Sequence, residues 1–201
     1  FERSVLYYLV RHGHELIFQK HGDEDKHKDN TPEEEQDLYN DMTVLQYIKF
    51  DLERDGLWFQ HPVYKQMLDE ASANADEEGF QPRRYFLAHQ DSEISKITAE
   101  ILEDRYELSK VHMKQFGENV KKEDTPLAEE KQLATSVPTV LIELKNAFIL
   151  SNIKDITRQI KQKQDEGDMN AVMAHLQQLK QMEDFKKVLA KASGEQIILR
   201  W

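Results

Sequence analysis

Along the last third of the chain, apolar residues recur every three or four positions through two long stretches. They are interrupted once, at Glu166-Gly167-Asp168. Val140, Leu141, Leu144, Phe148, Ile149, Ile153, Ile156 and Ile160 mark the first stretch. Met169, Val172, Met173, Leu176, Leu179, Met182, Phe185, Val188 and Leu189 mark the second. This spacing predicts two long amphipathic helices. A two-helix hairpin encloses little interior, so these faces must either close the chain's own core or be offered to a partner.

Upstream the same period returns in shorter pieces. Val5, Leu6, Leu9 and Val10 predict a helix over 2–11 with Gly13 near its end. Val44, Leu45, Ile48 and Leu52 predict a second, stopped near Asp55-Gly56. Pro62 suits a first helical position, where a missing N–H costs nothing; Tyr64, Met67, Leu68, Ala71 and Ala75 continue that helix, and Gly79 follows as a left-handed cap. A short helix is predicted from Pro82 to His89. Asp91 or Ser92 then caps a longer one with Ile94, Ile97, Ile101, Arg105 and Leu108 inward. Residues 117–126 read as a polar linker, and Pro138 as the start of the apolar helix or a kink in it. Leu57-Trp58-Phe59 and Ile197-Ile198-Leu199 are too short to build a sheet. The expectation is an all-α protein: a bundle of about six helices over 1–150, then a helical hairpin over 151–201.

Residues 20–42 break the pattern. Nine acids (Asp23, Glu24, Asp25, Asp29, Glu33, Glu34, Glu35, Asp37 and Asp41) stand there with few apolar anchors, the mark of an acidic loop or insertion. The whole chain carries 27 basic and 38 acidic residues, a net charge of −11, which argues against chain-wide binding to nucleic-acid phosphates. A local basic stripe, Lys145, Lys154, Arg158, Lys161 and Lys163, reads first as a solvated helix face. With no cysteine there is no disulfide or thiolate chemistry, which fits a reducing cytoplasm. No stretch approaches the ~18 uninterrupted apolar residues of a membrane span, so no membrane partner is expected. The chain opens at Phe1 rather than Met and is read as a piece of something longer.

Catalytic signatures are missing. The chain has no phosphate-binding glycine loop, no nucleophile elbow and no His-Glu-x-x-His pair. His12, His14, His21 and His27 straddle a helix end and the acidic loop with no fixed spacing on one face, so no metal site is expected. Asp91, Glu93, Glu100, Glu103 and Asp104 alternate with an apolar stripe as a solvated face does, and Arg105-Tyr106 reads as closing the bundle. No active site is expected in these residues.

Several segments taken in order resemble one family. Glu2-Arg3-Ser4-Val5-Leu6-Tyr7-Tyr8-Leu9-Val10-Arg11-His12-Gly13 resembles the opening helix of the C-terminal helicase-binding domain of bacterial DNA primase. Val44-Leu45-Gln46-Tyr47-Ile48-Lys49-Phe50-Asp51-Leu52 is similar to the matching part of Bacteroidetes-type primases. So are Tyr85-Phe86-Leu87-Ala88-His89, Asp104-Arg105-Tyr106-Glu107-Leu108-Ser109 and Lys186-Lys187-Val188-Leu189-Ala190-Lys191. The resemblance implies a compact bundle followed by a hairpin that docks on the hexameric replicative helicase at the replication fork, in the cytoplasm. It implies docking anchors at Leu176, Leu179, Met182, Phe185 and Leu189, with the tail Ile197, Ile198 and Leu199 as further candidates. It also implies a basic pocket for the acidic tail of single-stranded-DNA-binding protein, with Arg3, Arg11, Arg83 and Arg84 as candidates. Primer synthesis, a DNA-directed RNA polymerase activity, would belong with zinc and magnesium to upstream domains of a parent chain; no cofactor and little direct nucleic-acid binding are expected here. The segments 20–42 and 117–126 are longer than in many relatives and read as surface insertions. Two other readings stand beside this one. The N-terminal domain of a replicative helicase has a related bundle and hairpin and would self-associate. A nucleic-acid-binding helical domain would use the Lys145–Lys163 stripe and show salt-dependent binding.

Overall fold

The computed structural model describes residues 1–17, 42–77, 79–103 and 126–192, the side chains of 126–132 and 192 excepted. Among these residues the protein is all-α. Its helices are α1 (Glu2–His12), α2 (Val44–Arg54), α3 (Pro62–Ala73), α4 (Pro82–Leu87), α5 (Ser92–Glu103), α6 (Pro126–Glu166) and α7 (Met169–Ala192). They fall into two compact units, residues 2–138 and residues 139–201 with Phe1. The division lies within α6, after Pro138, and so earlier than the 150/151 boundary expected from the sequence. Pro138 sits inside the helix rather than starting it, and Pro126, expected in the linker, already opens α6. Proline lacks the N–H for the i−4 bond, which makes this a weak point in the helix ladder.

In the first unit the sequence Val5-Leu6-Tyr7-Tyr8-Leu9-Val10 gives α1 an apolar surface almost all round. Val5, Leu6, Leu9 and Val10 are fully buried and Tyr8 nearly so. An 11-residue helix is marginal alone, and one apolar on most sides must be enclosed. α1 accordingly packs against α2, α3, α4 and α5. Around it close Ile48, Leu52, Phe59, Met67, Phe86, Ile94 and Ile101, each essentially without solvent exposure. Leu57-Trp58-Phe59 forms no strand; Phe59 plugs the core while Trp58 is exposed.

Side chains from one helix satisfy the ends of another. Thr43 and Gln46 form a reciprocal capping box on α2: Gln46 N–H donates to Thr43 Oγ1 (3.2 Å) and Thr43 N–H to Gln46 Oε1 (3.0 Å). The amide of Gln46 also donates to Ala75 O (3.3 Å), and Lys49 Nζ donates to Ser72 O (3.2 Å), covering carbonyls at the end of α3. The first residue of α3 is Pro62, as predicted, but its N-cap His61 makes no side-chain cap bond. Glu2 of α1 accepts from the N–H groups of Gln60 and His61, just ahead of the helix. α3 ends at Asn74, so Gly79, although left-handed (φ 80°), lies in the approach to α4 and is not the cap of α3. Gly13 is needed for room rather than for a left-handed turn: a Cβ there would strike the Leu9 carbonyl oxygen and come within 2.9 Å of Pro82 Cγ. Asp91, of the two sequence alternatives, caps α5, its Oδ1 accepting from Glu93 N–H (2.8 Å). The buried face of α5 is Ile94, Thr98 and Ile101; Arg105 and Leu108 lie outside the described residues.

The acidic stretch leaves and rejoins the bundle at one point. Ile17 N–H donates to Met42 O (3.0 Å), Val44 N–H to Glu15 O (2.8 Å) and Leu45 N–H to Gly13 O (3.1 Å), with Leu16 and Thr43 in an isolated antiparallel bridge. Residues 18–41 themselves lie outside the described part. In the second helical region, the 34 residues Leu133–Glu166 of α6 contain a window of mean hydropathy 1.4, long and apolar enough by length and composition alone to cross a membrane. Glu143 and Lys145 interrupt this helix, so no uninterrupted apolar run of that length occurs.

Because the neck closes on its own backbone pairing, loop length should matter little to the bundle. Replacing residues 19–40 with a short Gly-Ser turn is predicted to leave the melting temperature within about 5 °C of the parent, read by circular dichroism. A collapse of cooperative melting would show that the stretch is part of the core.

Candidate functional site

The joint between α6 and α7 follows from three residues. Gly167 is left-handed (φ 75°). Its N–H donates to Gln164 O (3.1 Å) and Asp168 N–H donates to Lys163 O (3.0 Å), the bond pair of a Schellman cap on α6. Asp168 then caps α7, its Oδ1 accepting from Ala171 N–H (3.1 Å). One residue thus closes one helix and opens the next. On either side of this turn Ile160 and Val172 are buried.

Burial divides the apolar residues of α7 into two sets. Val172 is buried, and His175, Leu179, Met182, Leu189 and Ala190, at steps that share a face with it, are half-covered. Met169, Met173, Leu176, Phe185 and Val188 stand in solvent, Met173 at 60% and Phe185 at 57% exposure. The sequence-predicted anchors therefore do not act as one face. Leu176 and Phe185 are exposed, whereas Leu179, Met182 and Leu189 belong to the half-covered side. Ile197, Ile198 and Leu199 lie outside the described residues. α7 thus leaves five large apolar side chains in water, in a chain that is 32% charged.

The basic stripe on α6 is also divided. Lys145 is buried, Arg158 pairs with Asp155 (2.9 Å) and Lys163 with Glu166, leaving Lys154 and Lys161 exposed and without an ion pair among the described residues.

Nor are the four arginines of the expected pocket gathered into a free basic patch. Arg11 donates to Leu102 O (3.2 Å), at the end of α5, and lies over the Tyr7 ring, 5.1 Å from its centroid. Arg3 pairs with Glu100 (3.6 Å), also on α5. Arg83 and Arg84 of α4 are exposed, and neither guanidinium is in an ion pair among the described residues. Both therefore reach α5, Arg11 at a carbonyl of its last turn, where a cation complements the helix dipole, and Arg3 at the Glu100 carboxylate.

Sequence reasoning missed a polar cluster joining α3, α4 and the start of α5. Glu70 Oε2 accepts from Tyr85 Oη (3.1 Å) and His89 Nε2 (3.0 Å), while Gln66 Nε2 donates to Glu70 Oε1 (2.9 Å). Asp91 N–H donates to His89 Nδ1 (3.0 Å), so the ring proton sits on Nε2, facing Glu70. Both ring nitrogens are thus engaged in hydrogen bonds within the cluster. Burial raises the Glu70 carboxyl, but the donors Gln66 and Tyr85 and the nearby His89 together outweigh it and hold the group below its ordinary range. Burial and the Glu70 acceptor push the Tyr85 phenol up. The cluster is a latch between helices. Its one sequence signal was Tyr85 and His89, four apart in the helix predicted from Pro82 to His89; that helix ends at Leu87, with His89 just beyond it, and Glu70 is brought in only by packing. Among the described residues no group of three or more His, Asp or Glu is placed to hold a metal ion; His12 Nδ1 is engaged by Glu15 Oε1 (3.0 Å), and His21 and His27 lie outside.

Two outcomes are predicted. A depressed carboxylate contributes stability that is complete above the ordinary glutamate range and is lost as pH falls through its lowered value. Glu70→Gln should therefore flatten the acid side of the stability–pH profile measured by urea unfolding, with the neutral-pH value lowered. A profile parallel to that of the parent would remove Glu70 from the account. Gly167→Ala should destabilise α7 by about 1 kcal/mol, seen as faster amide exchange in Met169–Ala192 with exchange in α1 unchanged.

Comparison with known proteins bears on bundle and hairpin alike. No curated protein matches the chain, and no solved structure does. One family model, described as a domain of unknown function (DUF8430), matches residues 1–197. Since that match runs through both compact units rather than stopping at Pro138, the chain belongs to the DUF8430 family.

Proposed function

We propose that this chain is a protein-docking module: the C-terminal domain of a bacterial DNA primase, which binds the hexameric replicative helicase and brings RNA-primer synthesis to the replication fork. The observation that carries the reading is the exposed apolar surface of α7, with Met173, Leu176, Phe185 and Val188 in solvent on a capped helix. The ordered resemblance of segments from Glu2 to Lys191 to the helicase-binding domain supplies the partner. On this reading the hairpin tethers, and tethering raises the local concentration of the catalytic domains at the fork without touching their chemistry. Contacts weak one by one let primase come and go, and several equivalent sites on a hexamer add avidity. Zinc, magnesium and polymerase activity belong to the parent's other domains. Should the acidic tail of single-stranded-DNA-binding protein also bind, Arg83 and Arg84 are the cations left for it, because Arg3 and Arg11 hold α5.

Calorimetric titration of the chain against the purified replicative helicase of the same organism tests the reading. The full chain is expected to bind, and a version ending at Gly167 to lose binding while the bundle still melts cooperatively. Binding kept by the shortened version would move the interface to the bundle. A folded full chain that does not bind would overturn the assignment.

A further inference from the structure

The charged residues of α7 are Lys180, Glu183, Asp184, Lys186, Lys187 and Lys191. At about 100° per residue they leave a sector of about 200°, from Asp184 round to Lys186, that holds no Lys, Arg, Asp or Glu. Down the middle of that sector run Ala171, Ala174, Gln178, Gln181, Phe185 and Val188, at steps of three, four, three, four and three residues. Such strict alternation is the spacing of a seam between two helices, narrower than the stripe that faces a core. α6 does not fill it. Ala174, Gln178 and Gln181 are exposed, Phe185 and Val188 stand at 57% and 66% exposure, and only Ala171 is half-covered. Met169, Met173 and Leu176 lie on another side of α7, among the charged residues.

We infer that α7 pairs through this seam with α7 of a second copy of the chain, the two helices running antiparallel. The seam is complementary to itself. Its order is small, small, amide, amide, large, large, so reversal sets Val188 against Ala171, Phe185 against Ala174 and Gln181 against Gln178, each pair occurring twice about a twofold axis. Large against small fills the space between the helices. A parallel pair would crowd Phe185 on Phe185 and leave alanine facing alanine across a gap. At the centre, Gln178 Oε1 lies 3.0 Å from His175 Nδ1 of its own helix, so its NH2 group is the part that donates to Gln181 Oε1 of the second copy. The flank agrees: reversal brings Asp184 beside Gln177 and Lys191 beside Asn170, so no like charges are opposed. An unrelated partner would have to match this order by coincidence, whereas a second copy matches it by symmetry. The contact covers about 25 Å of helix, below a standard interface, so the dimer is weak and half-formed at about 10–100 µM. The inference goes beyond the docking-module reading and leaves Met169, Met173 and Leu176 outside the seam.

Sedimentation velocity of the full chain from about 5 µM to about 500 µM tests this without the helicase, so a failure here leaves the docking-module reading standing. The parent is expected to pass from monomer to dimer over that range. Phe185→Glu/Val188→Glu should raise the midpoint by about tenfold or more, and Met173→Glu/Leu176→Glu, off the seam, should move it by less than about twofold. All four positions are exposed, so helicity and melting should match the parent, and that is checked first. The chain has no cysteine, so disulfide trapping reads the direction of pairing. Ala171→Cys mixed with Val188→Cys should trap a dimer on mild oxidation. Neither variant should do so alone, because its two sulfurs would lie about 25 Å apart along the axis. A parent that stays monomeric throughout overturns the inference, as does a seam variant that associates as the parent does. If the off-seam variant weakens association as much as the seam variant, the attraction is general apolar adhesion and the seam is overturned. Trapping by each cysteine variant alone, as readily as by the mixture, overturns the antiparallel pairing.

Discussion

The first compact unit is organised by the enclosure of α1. A short helix carrying Val5, Leu6, Tyr8, Leu9 and Val10 has no face it can leave in water, so its neighbours must come to it on several sides. Each of those side chains contributes roughly 2 kcal/mol of apolar burial, and the helix does not persist without them. The polar residues at its ends then have fixed addresses. Glu2 receives the N–H groups of Gln60 and His61 just ahead of α3, while Arg3 and Arg11 reach Glu100 and Leu102 O on α5. Gly13 lets Pro82 approach where a side chain would block it. The arginines that looked available for a ligand are therefore part of how the bundle is held together.

The second unit follows a different logic. α7 is long enough to persist, 24 residues with an aspartate cap and a Schellman turn behind it. It has a single fully covered apolar side chain, Val172, among the residues described. Local bonds hold the helix where the bundle relies on burial. A helix supported that way can keep much of its apolar surface exposed, which would be untenable for α1. That surface and the resemblance of the sequence segments together support the docking reading.

The neck of the acidic stretch and the latch at Glu70 show two ways in which the first unit accommodates polar groups. At the neck, Glu15, Ile17, Met42 and Val44 satisfy one another's backbone groups, so a long polar segment can be accommodated without disturbing Ile17, which is buried. At the latch, the Glu70 carboxylate accepts from three donors and links α3 to α4 and to the segment that leads into α5.

How much was legible in the sequence depends on whether a feature is local. Helical period, the Pro62 start, the stop near Asp55-Gly56 and the break at Gly167-Asp168 depend on residues a turn apart, and a sequence displays these directly. The class of the fold followed from them. Contacts between distant residues could not be read that way. The link from Glu2 to the start of α3, Gln46 serving both its own helix and the end of α3, and the meeting of Glu70 with His89 are consequences of packing. The same holds for the hairpin. Periodicity identified apolar positions on α7 but put Leu176, Leu179, Met182, Phe185 and Leu189 together, because a stripe wider than half the helix looks continuous in one dimension. Only the folded chain separated the covered side from the exposed one, since burial depends on what lies opposite a residue. By itself, then, the sequence determined the helices, their breaks and the all-α class, because these arise from short-range backbone and side-chain preferences. Tertiary structure alone decided which charges are internal, which apolar side chains remain outside and where the chain divides, because those depend on neighbours remote in sequence.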